Sequence, residues 1–160
     1  MEEYLGALQA AHREGLARHV GVSNFTNAQL DDAKVILGDT PILTNQVEVH
    51  PFLNNRKVVG HIQEQGIKVT GYMPLAVGRV MDDEVLNRIA RAHNVSPAQV
   101  AIAWVANQGI VPIPSSTRPD HQKANLEALE IELSVDEMDQ IDHLDRNDRI
   151  ADPDFAPVWD

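Results

Sequence analysis

The sequence predicts an α/β protein built from parallel strands and crossover helices. Two observations carry this. Apolar residues alternate between a helical period and short continuous runs along the whole chain. Helix-start and helix-stop signals separate those runs, so strands and helices follow one another in turn. The strands are short and apolar, as expected where helices cover them.

Taken in order, residues 2–14 read as a helix. Tyr4, Leu5, Leu8 and Ala11 share one face, and Gly15 is the stop. Arg18 to Val22 reads as a first strand. Thr26-Asn27-Ala28-Gln29 is a capping box that opens a helix to about residue 37. Ile42 to Val49 is the second strand. Arg56 to Gln65 is a helix stopped by Gly66, and Ile67 to Tyr72 is the third strand. Asp83 to His93 is a helix. Ser96-Pro97-Ala98-Gln99 then combines an N-cap, a Pro at the first helical position and a capping-box Gln, with Gly109 past the far end. Ile110 to Ile113 is the fourth strand. Helices at about 119–128 and 135–144 complete the pattern, the second opened by Ser134-Val135-Asp136-Glu137.

Two architectures accommodate this order: an open doubly wound sheet, or part of a (β/α)8 barrel. A dinucleotide-binding doubly wound sheet wants G-x-G-x-x-G after its first strand, and no such run exists here. A whole (β/α)8 barrel typically takes about 250 residues. Four strands are enough for half of one.

Bulk properties narrow the function classes. The chain has 160 residues, no cysteine and a net charge of −11. That length suits one domain, 1–160, with 146–160 as a C-terminal tail. Without cysteine there are no disulfides and no thiolate metal sites, which fits a reducing, cytoplasmic setting. The acidic balance argues against non-specific binding to nucleic acid or to an anionic membrane surface. No apolar run approaches the roughly 20 residues of a membrane span. His93, His121 and His143 share no metal-ligand spacing, so no metal site is expected.

In α/β folds, function gathers at the carboxyl ends of the strands. Here those ends read Ser23-Asn24-Phe25, Glu48-Val49-His50-Pro51, Tyr72-Met73-Pro74-Leu75 and Pro114-Ser115-Ser116-Thr117-Arg118. Taken singly, each is explained by capping and strand-ending chemistry. The last one is more suggestive. Hydroxyls, a cation and a Pro that can open a helix form a grip suited to a phosphate.

The runs GVSNF (21–25), NQVEVHPF (45–52), GYMPLA (71–76) and VPIPSS (111–116) resemble the aldo-keto reductases in order and spacing. YMPLAVG, IPSST and the ending APVWD are most similar to the bacterial 2,5-diketo-D-gluconate reductases, which also reduce small ketoaldehydes such as methylglyoxal. The resemblance implies the C-terminal half of a (β/α)8 barrel and NADPH-dependent reduction of a small carbonyl substrate. It implies that Ser23, Asn24 and Gln46 hold the nicotinamide carboxamide and that Tyr72 stacks under the ring. Met73, Leu75 and Gly78 would lie along the pyrophosphate. Ser115, Ser116, Thr117 and Arg118 would surround the adenosine 2′-phosphate, with Asn125 at the adenine. Ser115 and His121 stand where many members carry lysine and arginine, which implies a weakened preference for NADPH and some tolerance of NADH.

The family's catalytic aspartate, tyrosine, lysine and histidine find no match here. The chain enters the pattern in the helix before the fifth barrel strand, as a truncated or half-length reductase would. Tyr4 lies in the opening helix and Tyr72 is the stacking ring, so no catalytic residue is assigned. His50 follows a strand but is expected to be structural. Asp82, Asp83 and Glu84 suit the positive end of a helix. Trp104 is expected in the core. Trp159, in the Pro-broken tail, is either part of a substrate loop or of a frayed end. Val20, Val22, Val47, Val69 and Ile113 are the candidates for an inner sheet face left uncovered in a half barrel. Self-association through that face and the strand edges is expected.

Overall fold

A computed structural model describes residues 1–160. The elements are α1 (Glu2–Arg13), β1 (Val20–Ser23), α2 (Asn27–Leu37), β2 (Ile42–Glu48), α3 (Arg56–Glu64), β3 (Lys68–Tyr72), α4 (Glu84–His93), α5 (Pro97–Asn107), β4 (Val111–Pro112), α6 (Pro119–Glu127) and α7 (Val135–Asp142). Two short 3₁₀ stretches were not anticipated from the sequence: Ala128–Glu130, and Ala76–Asp82, which is broken by non-helical φ/ψ at Val77 and Gly78. The four strands form one sheet in the order β1-β2-β3-β4, so β1 and β4 are its edges. β1 and β2 run parallel. No helix is long and apolar enough to cross a membrane.

Three helix starts follow from local chemistry. Thr26, Ser96 and Ser134 each accept from the backbone N–H three residues on, while Gln29, Gln99 and Glu137 reach back to close the box. Asp83 caps α4 by accepting from the amides of Val85 and Leu86, which is the helix-end role its sequence suggested. β4 is shorter than the run 110–113, although the Ile113 N–H still donates to the Gly71 carbonyl at 3.0 Å.

Two compact units make up the chain. The first comprises Met1–Val47, Arg56–Thr70 and Pro153–Asp160. Its core gathers Leu5, Leu30, Ala33, Leu37, Val58 and Ile62 from one face each of α1, α2 and α3. The register Val20↔Ile42, Gly21↔Thr44 skips Leu43, so this bulged residue stays exposed. Gly21 is required there, because a Cβ would stand 2.9 Å from Thr44 Cγ2 and 3.0 Å from its carbonyl oxygen. The tail is tied down within this unit, since Asp160 Oδ2 accepts from the Asn27 N–H at the start of α2.

The second unit comprises Glu48–Asn55 and Gly71–Asp152. Its centre is α5, whose residues Val100, Ala101, Ile102, Ala103, Trp104 and Val105 are all buried, so this helix is apolar on every side. Trp104 is in the core as expected, and its indole Nε1 donates to Asp142 Oδ1 at 3.0 Å.

The strand faces correct the sequence reading. Val20, Val47 and Val69 are buried, at 5%, 2% and 1% exposure, so they are not on an uncovered face. In β2 and β3 the alternating positions are Thr44, Gln46 and Thr70, which are half-buried and polar; the Thr44 and Thr70 hydroxyls meet at 2.8 Å. Of the five candidates, only Ile113 is exposed, at 41%.

Candidate functional site

Within the first unit, the end of β1 is held against the end of β2. Asn24 adopts a left-handed φ of 57°, a conformation Asn tolerates better than most residues. Its N–H donates to the Gln46 carbonyl at 2.9 Å, and the Ser23 hydroxyl donates to the same oxygen at 3.1 Å. Ser23, Asn24 and Gln46 are therefore one cluster, with the Ser23 side chain exposed and that of Gln46 half-buried. Beneath them, buried Asn45 donates to the Phe25 carbonyl at 3.0 Å and pins the turn.

Within the second unit, the loop after β3 is strained. Met73, Ala76 and Val77 have φ of 53°, 47° and 56°, followed by Gly78 at 87°. A β-branched residue at positive φ is rarely tolerated, and such strain persists where a backbone path is over-determined. The Ala76 N–H bonds the Met73 carbonyl and the Gly78 N–H bonds the Leu75 carbonyl, which holds the reversal. Arg79 leaves this loop to pair with Asp148 at 2.8 Å. That bond, with help from Arg146, keeps the Asp148 carboxyl below its ordinary range.

Two adjoining hollows run from this loop to α6. One of about 380 Å³ is lined by Met73, Leu75, Val77, Gly78, Ile113 and Ser115, among others. The next, of about 480 Å³, is lined by Leu75, Ser115, Ser116, His121 and Asn125 together with Asp120, Gln99 and Met81. Leu75 and Ser115 belong to both, so the two form one groove. It gathers seven of the residues singled out in the sequence: Met73, Leu75, Gly78, Ser115, Ser116, His121 and Asn125. Tyr72 stands half-buried at the end of β3, just before the loop, and its carbonyl accepts from the Val49 N–H at 3.3 Å.

Thr117 and Arg118 do not line the groove. The Arg118 fork is turned onto Asp120, with Nε 3.3 Å from Oδ1 and a terminal nitrogen 2.7 Å from Oδ2. The hydrogen bond from Arg118 holds the exposed Asp120 carboxyl below its usual range. The Ser116 hydroxyl accepts from the Arg118 N–H, and Gln122 donates to the Ser116 carbonyl. The loop before α6 is thus folded by its own bonds.

His50 has the structural role expected of it. It is fully buried, and Nε2 donates to Glu48 at 2.9 Å. Glu48 itself was missed in the sequence. Its carboxylate also accepts from the N–H groups of Ile150 at 2.7 Å and Ala151 at 2.8 Å. Burial pushes its pKa up, but these bonds from His50 and the two amides outweigh burial and hold it below the ordinary value. The available signal was a lone acid between Val47 and Val49 in an apolar strand.

The residues in the groove offer hydroxyls, an amide, a carboxylate and the start of a helix. A family profile described as the aldo/keto reductase family matches residues 1–146. The methylglyoxal reductase DkgB of Escherichia coli O157:H7 is 44% identical over 161 residues, covering 100% of this chain and 60% of that protein. A glyoxal reductase of Bacillus subtilis is 37% identical over 147 residues, covering 91% of this chain and 52% of the relative. A crystal structure of a protein provisionally assigned as a 2,5-diketo-D-gluconic acid reductase B superposes with a TM-score of 0.95 at 35% identity, covering 99% of this chain and 57% of that one. The Bombyx mori aldo-keto reductase solved in complex with NADP gives 0.83 at 30% identity, covering 91% and 50%. The chain therefore spans about 60% of the length of the curated relatives it matches most fully. Its four strands and their helices correspond to part of the (β/α)8 barrel of those structures.

Proposed function

Because this chain belongs to the aldo/keto reductase family, we propose that it supplies the NADPH-binding half of a carbonyl reductase for small ketoaldehydes or 2,5-diketo-D-gluconate. The observation that carries this reading is the continuous groove from Met73 to Asn125. Its chemistry changes along its length, as a dinucleotide's does. At the loop after β3 it offers backbone and Gly78, where a pyrophosphate can approach closely. Beside α6 it offers the Ser115 and Ser116 hydroxyls and His121 for a phosphomonoester, with Asn125 for a base.

In the first unit, Ser23, Asn24 and Gln46 present side chains for a carboxamide on a backbone held by two bonds to the Gln46 carbonyl. The Tyr72 ring would supply a broad flat contact for a nicotinamide. Bound NADPH would supply hydride to the substrate carbonyl. This chain's own residues would bind and orient it; we assign no proton donor among them. The aspartate, tyrosine, lysine and histidine of the family's chemistry would come from outside these 160 residues. Trp159, half-buried in the tail, is the residue proposed to border substrate.

A calorimetric titration of the purified chain with NADPH, in a sample of known oligomeric state, tests the reading. Micromolar binding, about −8 kcal/mol, is expected. No heat at millimolar NADPH would sink it. Without a partner half, no turnover of methylglyoxal is expected.

A second reading is favoured by one observation. At the β1 edge, Met1, Tyr4, Leu8, Val22 and Phe25 line an apolar hollow of about 360 Å³. Such a surface fits a half barrel that pairs with another copy without doing chemistry. Sedimentation showing a monodisperse monomer would exclude this.

A further inference from the structure

We propose that Asp120 tunes this chain's discrimination between dinucleotides with and without a ribose phosphomonoester, by holding the Arg118 guanidinium in an ion pair. The proposal rests on the cofactor reading above and names a residue that reading does not use.

Arg118 is the only lysine or arginine in the segment 111–122, and its fork is already occupied by the two Asp120 oxygens. Pro119 stands between them at the first position of α6. The groove is lined by Asp120 and not by Arg118. No lysine or arginine lines that 480 Å³ part of the groove, and Asp120 is its one carboxylate. A dianionic phosphate entering beside Ser115 and Ser116 meets a negative group and must draw Arg118 away from it. A ribose hydroxyl meets no such cost, and a carboxylate can accept its hydrogen bond.

Both partners are about two-thirds exposed, at 65% and 62%. The guanidinium is therefore free to swing, and its exchange between carboxylate and phosphate should respond to salt.

The test compares NADPH and NADH binding by calorimetry for the wild-type chain, Asp120→Asn, Arg118→Ala and the double variant. Asp120→Asn is expected to raise the NADPH-to-NADH affinity ratio by roughly two- to fivefold at low salt, through tighter NADPH binding. The gain should shrink in high salt, and in the Arg118→Ala background it should fall to what removal of the Asp120 charge alone supplies. An unchanged ratio in Asp120→Asn, with wild-type NADPH binding intact, overturns the inference and leaves the cofactor reading standing. A gain that is undiminished in the Arg118→Ala background overturns the ion-pair mechanism. Failure of all four proteins to bind either dinucleotide overturns the cofactor reading and this inference with it. Circular dichroism and a thermal melt establish that each variant is folded.

Discussion

The Glu48 carboxylate and the His50 imidazole meet at 2.9 Å with neither side chain exposed. Two residues apart at the end of β2, they anchor a segment a hundred residues later, because Glu48 also accepts from the N–H groups of Ile150 and Ala151. Glu48→Ala should destabilise the chain by about 3–5 kcal/mol at neutral pH, since it strands an imidazole N–H and two amides. The pH dependence follows from the lowered pKa of Glu48. The folded state holds its proton less tightly than the unfolded state does, so the stabilisation is complete above the ordinary carboxylate value. It is lost as pH falls below that value and through the folded one. Urea titrations of wild type and variant should therefore converge as the pH is lowered through the acid range. A constant gap at all pH values would show that the charge is not what matters.

Trp104 offers a cleaner measure of core packing. Its side chain is wholly buried in α5 and its indole donates to Asp142 on α7. Trp104→Phe should cost about 1–3 kcal/mol, from lost volume and one lost hydrogen bond. The Phe retains the ring, so the fold should survive with a lower urea midpoint and an unchanged slope. An altered slope would point to a change in the compactness of the native or unfolded state.

Val77 separates stability from binding. It is 71% exposed and sits at φ 56°, ψ 35°, so it is strained without being well packed. Val77→Gly should raise stability, or leave it unchanged, because relief of about 1–2 kcal/mol of left-handed strain is offset by the entropy of a new glycine. The same change frees the loop that carries Met73, Leu75 and Gly78. NADPH affinity should fall severalfold if that loop is preorganised for the pyrophosphate. Melting curves and calorimetric titrations of the variant would check both halves. A stabilised variant with unaltered affinity would mean that the strain has no part in binding.

The elements that could be read from the sequence are those whose causes lie within a few residues. Thr26 with Gln29, Ser96 with Gln99 and Ser134 with Glu137 close their boxes three residues apart, and these helices begin where the letters place them. The four strand-end motifs were also visible. The succession of strands and helices followed from periodicity, but of the face read for α1 only Leu5 is buried, and Tyr4 is 76% exposed. Seven residues of the groove, Met73 and Asn125 among them, match family motifs in the sequence; spacing alone does not bring them together.

Tertiary structure alone decided the rest. In the sequence Val47 and Val69 suit an uncovered face, but both are buried, while Thr44 and Thr70 hold the alternating positions. A period of two shows that faces alternate and does not say which one the helices cover. The sequence offers the Arg118 fork to a phosphate, and folding sets that fork on Asp120. Glu48 looked like an ordinary acid in a strand, because the amides that hold its charge belong to residues 150 and 151. Capping and periodicity depend on neighbours in the chain. The state of a charge and the covered face of a strand depend on groups that only folding brings within reach.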